Sequence, residues 1–139
     1  MLKKCFVVMV SLCLASVLAA GTGFAADEVK VGIMIPTTGG TATDGKDMES
    51  AIKLAVDEIN AAGGLLGKQI VTTTGDDACD PQQAVAAASK LISEGVVGVV
   101  GGYCSGATLP TLALYGEAKV PLVITHSNST GLVVANPAI

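Results

Sequence analysis

The run Val96-Val97-Gly98-Val99-Val100 is β-branched and apolar on both alternations, the pattern of a central parallel strand covered on two faces. It ends in Gly101-Gly102-Tyr103-Cys104-Ser105-Gly106-Ala107-Thr108, after which Leu109, Leu112, Ala113 and Gly116 recur at roughly helical spacing. A strand that turns directly into a helix aims free backbone N–H groups and the positive end of the helix dipole above the sheet edge, which favours an anion. The Ser105 hydroxyl adds to that donor set.

The rest of the chain supplies what such a strand needs on either side. Val29 to Ile35 alternates weakly and stops at Pro36, which predicts a first strand. Met48, Ala51, Ile52, Ala55 and Ile59 recur at helical steps until Gly63-Gly64. Gln69 to Thr74 is a partly polar strand expected nearer an edge, with Asp76-Asp77 at its end. Asp80-Pro81-Gln82-Gln83 opens a helix as N-cap, first-turn proline and capping-box glutamine, and this helix runs to about Glu94. The helix after Ser105 is expected to reach about Lys119, and Val120 to Thr125 makes a fourth strand before His126-Ser127-Asn128-Ser129-Thr130-Gly131. The order β-α-β-α-β-α-β predicts an α/β fold, a parallel sheet with helices on both faces. Ligands of such sheets bind beyond the carboxyl ends of the strands, so the loops Thr37 to Gly45, Gly101 to Thr108 and His126 to Thr130 are the candidate site.

The amino terminus has a different character. Lys3-Lys4, an apolar run from Cys5 to Ala20 and Gly23-Phe24-Ala25 read as a secretory signal, residues 1–25, cleaved after Ala25. Removing it takes two of the eight basic residues and none of the twelve acidic ones, so the exported part carries a net charge of −6. The sequence contains no arginine. An acidic chain without guanidinium groups argues against nucleic acid as a partner. Of the four cysteines only Cys79 and Cys104 remain after cleavage, and in an oxidising compartment they are either a disulfide or two buried thiols.

Three motifs invite chemistry. Gly40 to Lys46 matches G-x-x-x-x-G-K, but Asp47 stands where a phosphate loop needs a hydroxyl for magnesium, and the stretch reads as an ordinary strand-to-helix turn. Cys104 or Ser105 with His126 would make a nucleophile and base, hence an exported hydrolase, yet no orienting third group is evident and the serine falls one place late for G-x-S-x-G. His126 is the single histidine, so no metal site of several imidazoles is available. What remains is binding without catalysis and without a cofactor. Hydroxyls and amides at a helix start can hold a carboxylate, and carbonyls and hydroxyls after the fourth strand can accept from an ammonium, which together suit the head group of an amino acid. Small turn residues with no ligand would look the same.

Asp76-Asp77-Ala78-Cys79-Asp80-Pro81-Gln82-Gln83-Ala84-Val85, then Cys104-Ser105, then Ile124-Thr125 before a polar turn, resemble the periplasmic leucine/isoleucine/valine-binding proteins of branched-chain amino acid ABC transporters, across Val29 to Thr130. The resemblance implies a Cys79–Cys104 disulfide and a two-lobed type I periplasmic fold closing on its ligand, with residues 26–139 as the amino-terminal part of the first lobe. It implies that Ser105 holds the ligand carboxylate, that Ser127 and Ser129, with Asn128 between them, grip the head group, and that Tyr103 lines the pocket. Asp44 falls where leucine-type members place a tyrosine, a departure that admits a polar amino acid, an amide or a urea-like solute as the alternative ligand. The implied partners are a small amino acid and an inner-membrane ABC permease, with the protein a monomer at full length.

Overall fold

The structure, a computed structural model, describes residues 28–134. The signal sequence and its cleavage site, and the last five residues, lie outside the described residues. Strand β1 (Glu28–Ile35) leads through helix α1 (Ala42–Ala61) to β2 (Gln69–Asp76), then through α2 (Pro81–Ser93) to β3 (Gly98–Gly101). From β3 a short helix α3 (Ser105–Thr108), a 3-10 turn (Leu109–Thr111) and α4 (Leu112–Ala118) return to β4 (Leu122–Ile124), and α5 (Gly131–Val134) follows. All pairings between these strands are parallel and the sheet order is β2-β1-β3-β4. This is the α/β arrangement expected, with β2 at an edge as its polar residues predict.

Register sorts the side chains into two sets. Gly32 pairs with Thr73 and Val99, while Ile33 pairs with Thr74 and Val100. The Thr73 hydroxyl donates to Glu94 just past α2, and the Thr74 hydroxyl donates to Glu49 of α1, so the Gly32 and Met34 side faces α2 and the Ile33 side faces α1. Met34, Ala88, Leu91, Val96, Val99, Leu112, Tyr115, Leu122 and Leu132 form one buried apolar cluster on the α2 side. Leu91 packs where Gly32 and Gly75 leave the strands bare.

Several local expectations change. Val96 and Val97 precede β3, and Val97 is exposed, so this segment is not covered on both faces along its length. The helix to Lys119 is broken in two by the turn at Leu109–Thr111, because Pro110 has no N–H to continue the helical bonds. Its buried positions are Ala107, Thr108, Thr111, Leu112 and Tyr115, whereas Ala113 and Gly116 are exposed. Asp80 does cap α2, accepting from the amides of Gln82 and Gln83 at 2.9 and 2.8 Å, but its own N–H donates to the Asp77 carbonyl instead of to Gln83. Gly45, in the phosphate-loop match, is buried, and a Cβ there would run into the Pro36 carbonyl. Its job is to let α1 approach the end of β1.

Candidate functional site

The three polar loops do meet at the carboxyl edge of the sheet, and backbone geometry at Gly101-Gly102 is what joins two of them. Both residues have positive φ, 147° and 79°, the region where a side chain is costly. The turn they make presents two carbonyls to the strand-β4 loop. Gly101 O accepts from the Thr125 amide at 2.8 Å, and Gly102 O accepts from the amides of Ser127 at 2.9 Å and His126 at 3.3 Å. The Ser127 hydroxyl also donates to Gly102 O at 2.9 Å and lies 2.9 Å from the hydroxyl of buried Thr108. Ser127 therefore turns its side chain into the protein.

The loop after β2 is fixed by its acids. Asp76 accepts from the Thr37 amide, the Ala78 amide and the Thr38 amide and hydroxyl. Burial works against its charge, but the Thr38 hydroxyl and these amides outweigh burial and hold its pKa below the usual carboxylate range. Asp77 accepts from the Cys79 amide at 2.9 Å, while its Oδ2 is buried without a partner. Burial pushes its pKa up, the Cys79 amide opposes the shift, and the charge of Asp76 adds to it. Between them they hold Ala78 and Cys79 at φ 45° and 57°. Cys79 is bonded to Cys104, Cα to Cα 5.3 Å, which ties this loop to the residue just before Ser105. The two cysteines are 25 residues apart in sequence, and closing a loop of that length contributes roughly 3.5 kcal/mol on the chain-entropy model. The thiol of Cys104 is thereby consumed and cannot serve as a nucleophile.

Ser105, half-buried at the start of α3, accepts through Oγ from the amides of Asn128 at 3.2 Å and Ser129 at 3.3 Å. A serine hydroxyl has two lone pairs and one proton. With both lone pairs engaged, the group offers its proton outward, as a donor to an anion. The Ser129 hydroxyl accepts from the Gly131 amide at 3.3 Å. The amides of Asn128 and Ser129 thus set the orientation of Ser105, a function that the motif alone did not assign to them.

Tyr103, on the other side of Cys104, donates its phenol to Asp44 Oδ2 at 2.6 Å and stacks its ring on His126, centroids 4.5 Å apart and planes 10° from parallel. The hydrogen bond to Asp44, with some desolvation, raises the phenol pKa. Among the described residues the polar contacts of Ser105 Oγ are with the Asn128 and Ser129 amides, not with the His126 ring. All eight residues singled out from sequence, Asp44, Cys79, Tyr103, Cys104, Ser105, Ser127, Asn128 and Ser129, gather at this edge. Asp76, Thr108 and the Gly102 carbonyl lie in or beside the expected loops but were given no individual role, although an Asp-Asp pair at a strand end is a recognisable Asx-turn signal. Ser127, Asn128 and Ser129 line an open groove of about 360 Å³ together with Ile124, Thr130 and Leu132.

A family model described as periplasmic binding protein matches residues 28–138. A Leu/Ile/Val-binding protein homolog from Brucella abortus is 39% identical over 122 residues, 88% of this chain and 32% of that protein. A leucine-, isoleucine-, valine-, threonine-, and alanine-binding protein from Pseudomonas aeruginosa is 42% identical over 108 residues, 78% of this chain and 29% of its own. Among solved structures, the branched-chain amino acid transporter substrate binding protein LivJ of Streptococcus pneumoniae in complex with isoleucine aligns with TM-score 0.75 at 34% identity, covering 78% of this chain and 32% of that one. The chain spans about a third of the length of the curated relatives it matches.

Proposed function

The chain belongs to the periplasmic binding protein family, and from that premise we propose that it forms part of the first lobe of a solute-binding protein that captures an amino acid in the periplasm for an ABC importer. The observation that carries the reading is Ser105: a hydroxyl whose lone pairs are filled by the Asn128 and Ser129 amides is left as a fixed donor beside a helix start, suited to one oxygen of an α-carboxylate. The Ser127 and Ser129 backbone frames the neighbouring position for the ammonium. The branched-chain amino acids are the favoured ligands, since relatives at about 40% identity are named for leucine, isoleucine and valine. No catalytic group is assigned, and the partner proposed is the inner-membrane permease of the importer.

Isothermal titration of the chain with leucine, isoleucine and valine tests this. Saturable binding that weakens roughly tenfold to a hundredfold in Ser105→Ala is expected, the worth of a hydrogen bond to a charged group. Unchanged affinity in Ser105→Ala would remove Ser105 from the site, and a failure of the native protein to bind any amino acid would overturn the reading.

A further inference from the structure

We infer that Asn60 closes the outer edge of β2 against a second copy of the chain, its carboxamide standing where the next strand would pair. β2 (Gln69–Asp76) is the end strand of the sheet, bonded along its whole length to β1 on one side only. Asn60, in the last turn of α1, donates from Nδ2 to the Ile70 carbonyl at 2.8 Å and accepts at Oδ1 from the Ile70 amide at 2.7 Å. Those are the two main-chain bonds that a residue of an added antiparallel strand would exchange with Ile70. A carboxamide carries the donor and acceptor of a peptide group, so it fills both positions. The contact lies at the amino end of β2, away from the proposed binding edge, and is independent of that reading.

Register shows what the edge would do without it. Ile70 turns its main chain away from β1, and alternation turns Thr72, Thr74 and Asp76 the same way. Two copies of β2 laid antiparallel about Thr73 pair Ile70 with Asp76 and Thr72 with Thr74 of the other copy, each pair made twice by the two-fold axis. With Asn60 on Ile70 both outer pairs are lost, and the Thr72–Thr74 pairs that remain are too short a ladder to hold two chains. The strand has little other defence. Its sequence Gln-Ile-Val-Thr-Thr-Thr-Gly-Asp contains no proline and no lysine, and Ile, Val and Thr favour pairing. The charges beside it come in both signs, Glu49 with Lys53 on one face and Lys30 and Lys90 beside Glu94 on the other, so they would not repel a second copy. Among the described residues no side chain closes Thr72 as Asn60 closes Ile70. Beside Thr72 lies an open groove of about 260 Å³, lined also by Lys30, Val71, Thr73 and Glu94. Anchoring of α1 to β2 alone accounts for the Asn60 bonds, but it predicts no change in association when they are lost.

Sedimentation velocity and amide hydrogen exchange on the full chain test this. Asn60→Ala should self-associate about tenfold more tightly than the native protein, with exchange at the Thr72 and Thr74 amides slowing as the concentration rises. Adding Thr72→Pro to Asn60→Ala should return association to the native level, since the Thr72 amide points outwards and a proline there removes the outer donor without cutting a bond to β1. Asn60→Asp keeps the acceptor for the Ile70 amide and loses the donor; it serves where Asn60→Ala does not fold, and its association should still exceed the native level. In the native protein at low concentration, the Ile70 amide should exchange about tenfold more slowly than that of Thr72. Association of the Asn60 variants no tighter than native, association that Thr72→Pro does not relieve, or a native Thr72 amide as protected as that of Ile70 overturns the inference.

Discussion

On one face of the sheet Met34, Leu91 and Val99 are closed in beneath α2 and α4, whereas on the other α1 buries Ile33 and Ile35 but leaves Val123 60% exposed and its own Leu54 61% exposed. The same four strands feed both faces through their alternation, so the difference lies in the helices. The α2 side has two helices and the cross-links that hold them: the Asp80 cap, the disulfide and the Asp76 and Asp77 turns. Among the described residues the α1 side has one helix, which packs chiefly on β1 and β2 and leaves Val123 of β4 exposed. Apolar burial is the main source of stability, so most of it should reside on the α2 side. The turns of the proposed site depend on that side too, since Ser105 and Tyr103 flank a disulfide-bonded residue on the turn into α3.

The sharpest test of the comparison is Leu91→Ala. Leu91 is fully buried against Gly32 and Gly75, which have no side chains to move into the space. The expected cost is about 3 kcal/mol in urea unfolding, with a retained cavity. A cost below about 1 kcal/mol would mean that the α2 side is not the stable one.

Asp77→Asn probes the same side with opposite sign. Asp77 has its pKa raised by burial, so the neutral form is the one folding favours. Stability from this group is fully present below the unfolded carboxyl value and is lost as the pH rises through the raised folded value. The asparagine variant should therefore be the more stable at pH 7, by about 1 kcal/mol, with the gap closing as the pH falls through the raised folded value and closed by about pH 4. Unfolding curves at several pH values that run parallel for the two proteins would show that Asp77 is not the titrating group.

The smallest effect is expected on the other face. Leu54→Ser removes an exposed side chain from α1 and should change stability by less than about 0.5 kcal/mol, while reducing self-association seen in light scattering. A loss approaching that of Leu91→Ala would erase the distinction between the faces.

Much of the fold was legible because its signals are local. The strand at Val99, the Asp80-Pro81 helix start and the order of elements follow from apolar period and cap chemistry within windows of a dozen residues. The break at Pro110 was also local, yet an apolar rhythm through Leu109 and Leu112 masked it, and the buried face turned out to run through Thr108, Thr111 and Tyr115. Those threonines satisfy their hydroxyls on backbone carbonyls one turn back, a detail that polarity alone conceals.

The sequence by itself determined an α/β chain with its polar loops at one sheet edge, because alternation and helix punctuation are written residue by residue. Only the tertiary structure decided that Ser105 is oriented by amides some two dozen residues later in the chain, that Tyr103 reaches Asp44, and that one face of the sheet is far better covered than the other. The physical reason is that these depend on strand register and on which side each crossover helix falls, quantities set by pairing between distant segments and by no window of sequence.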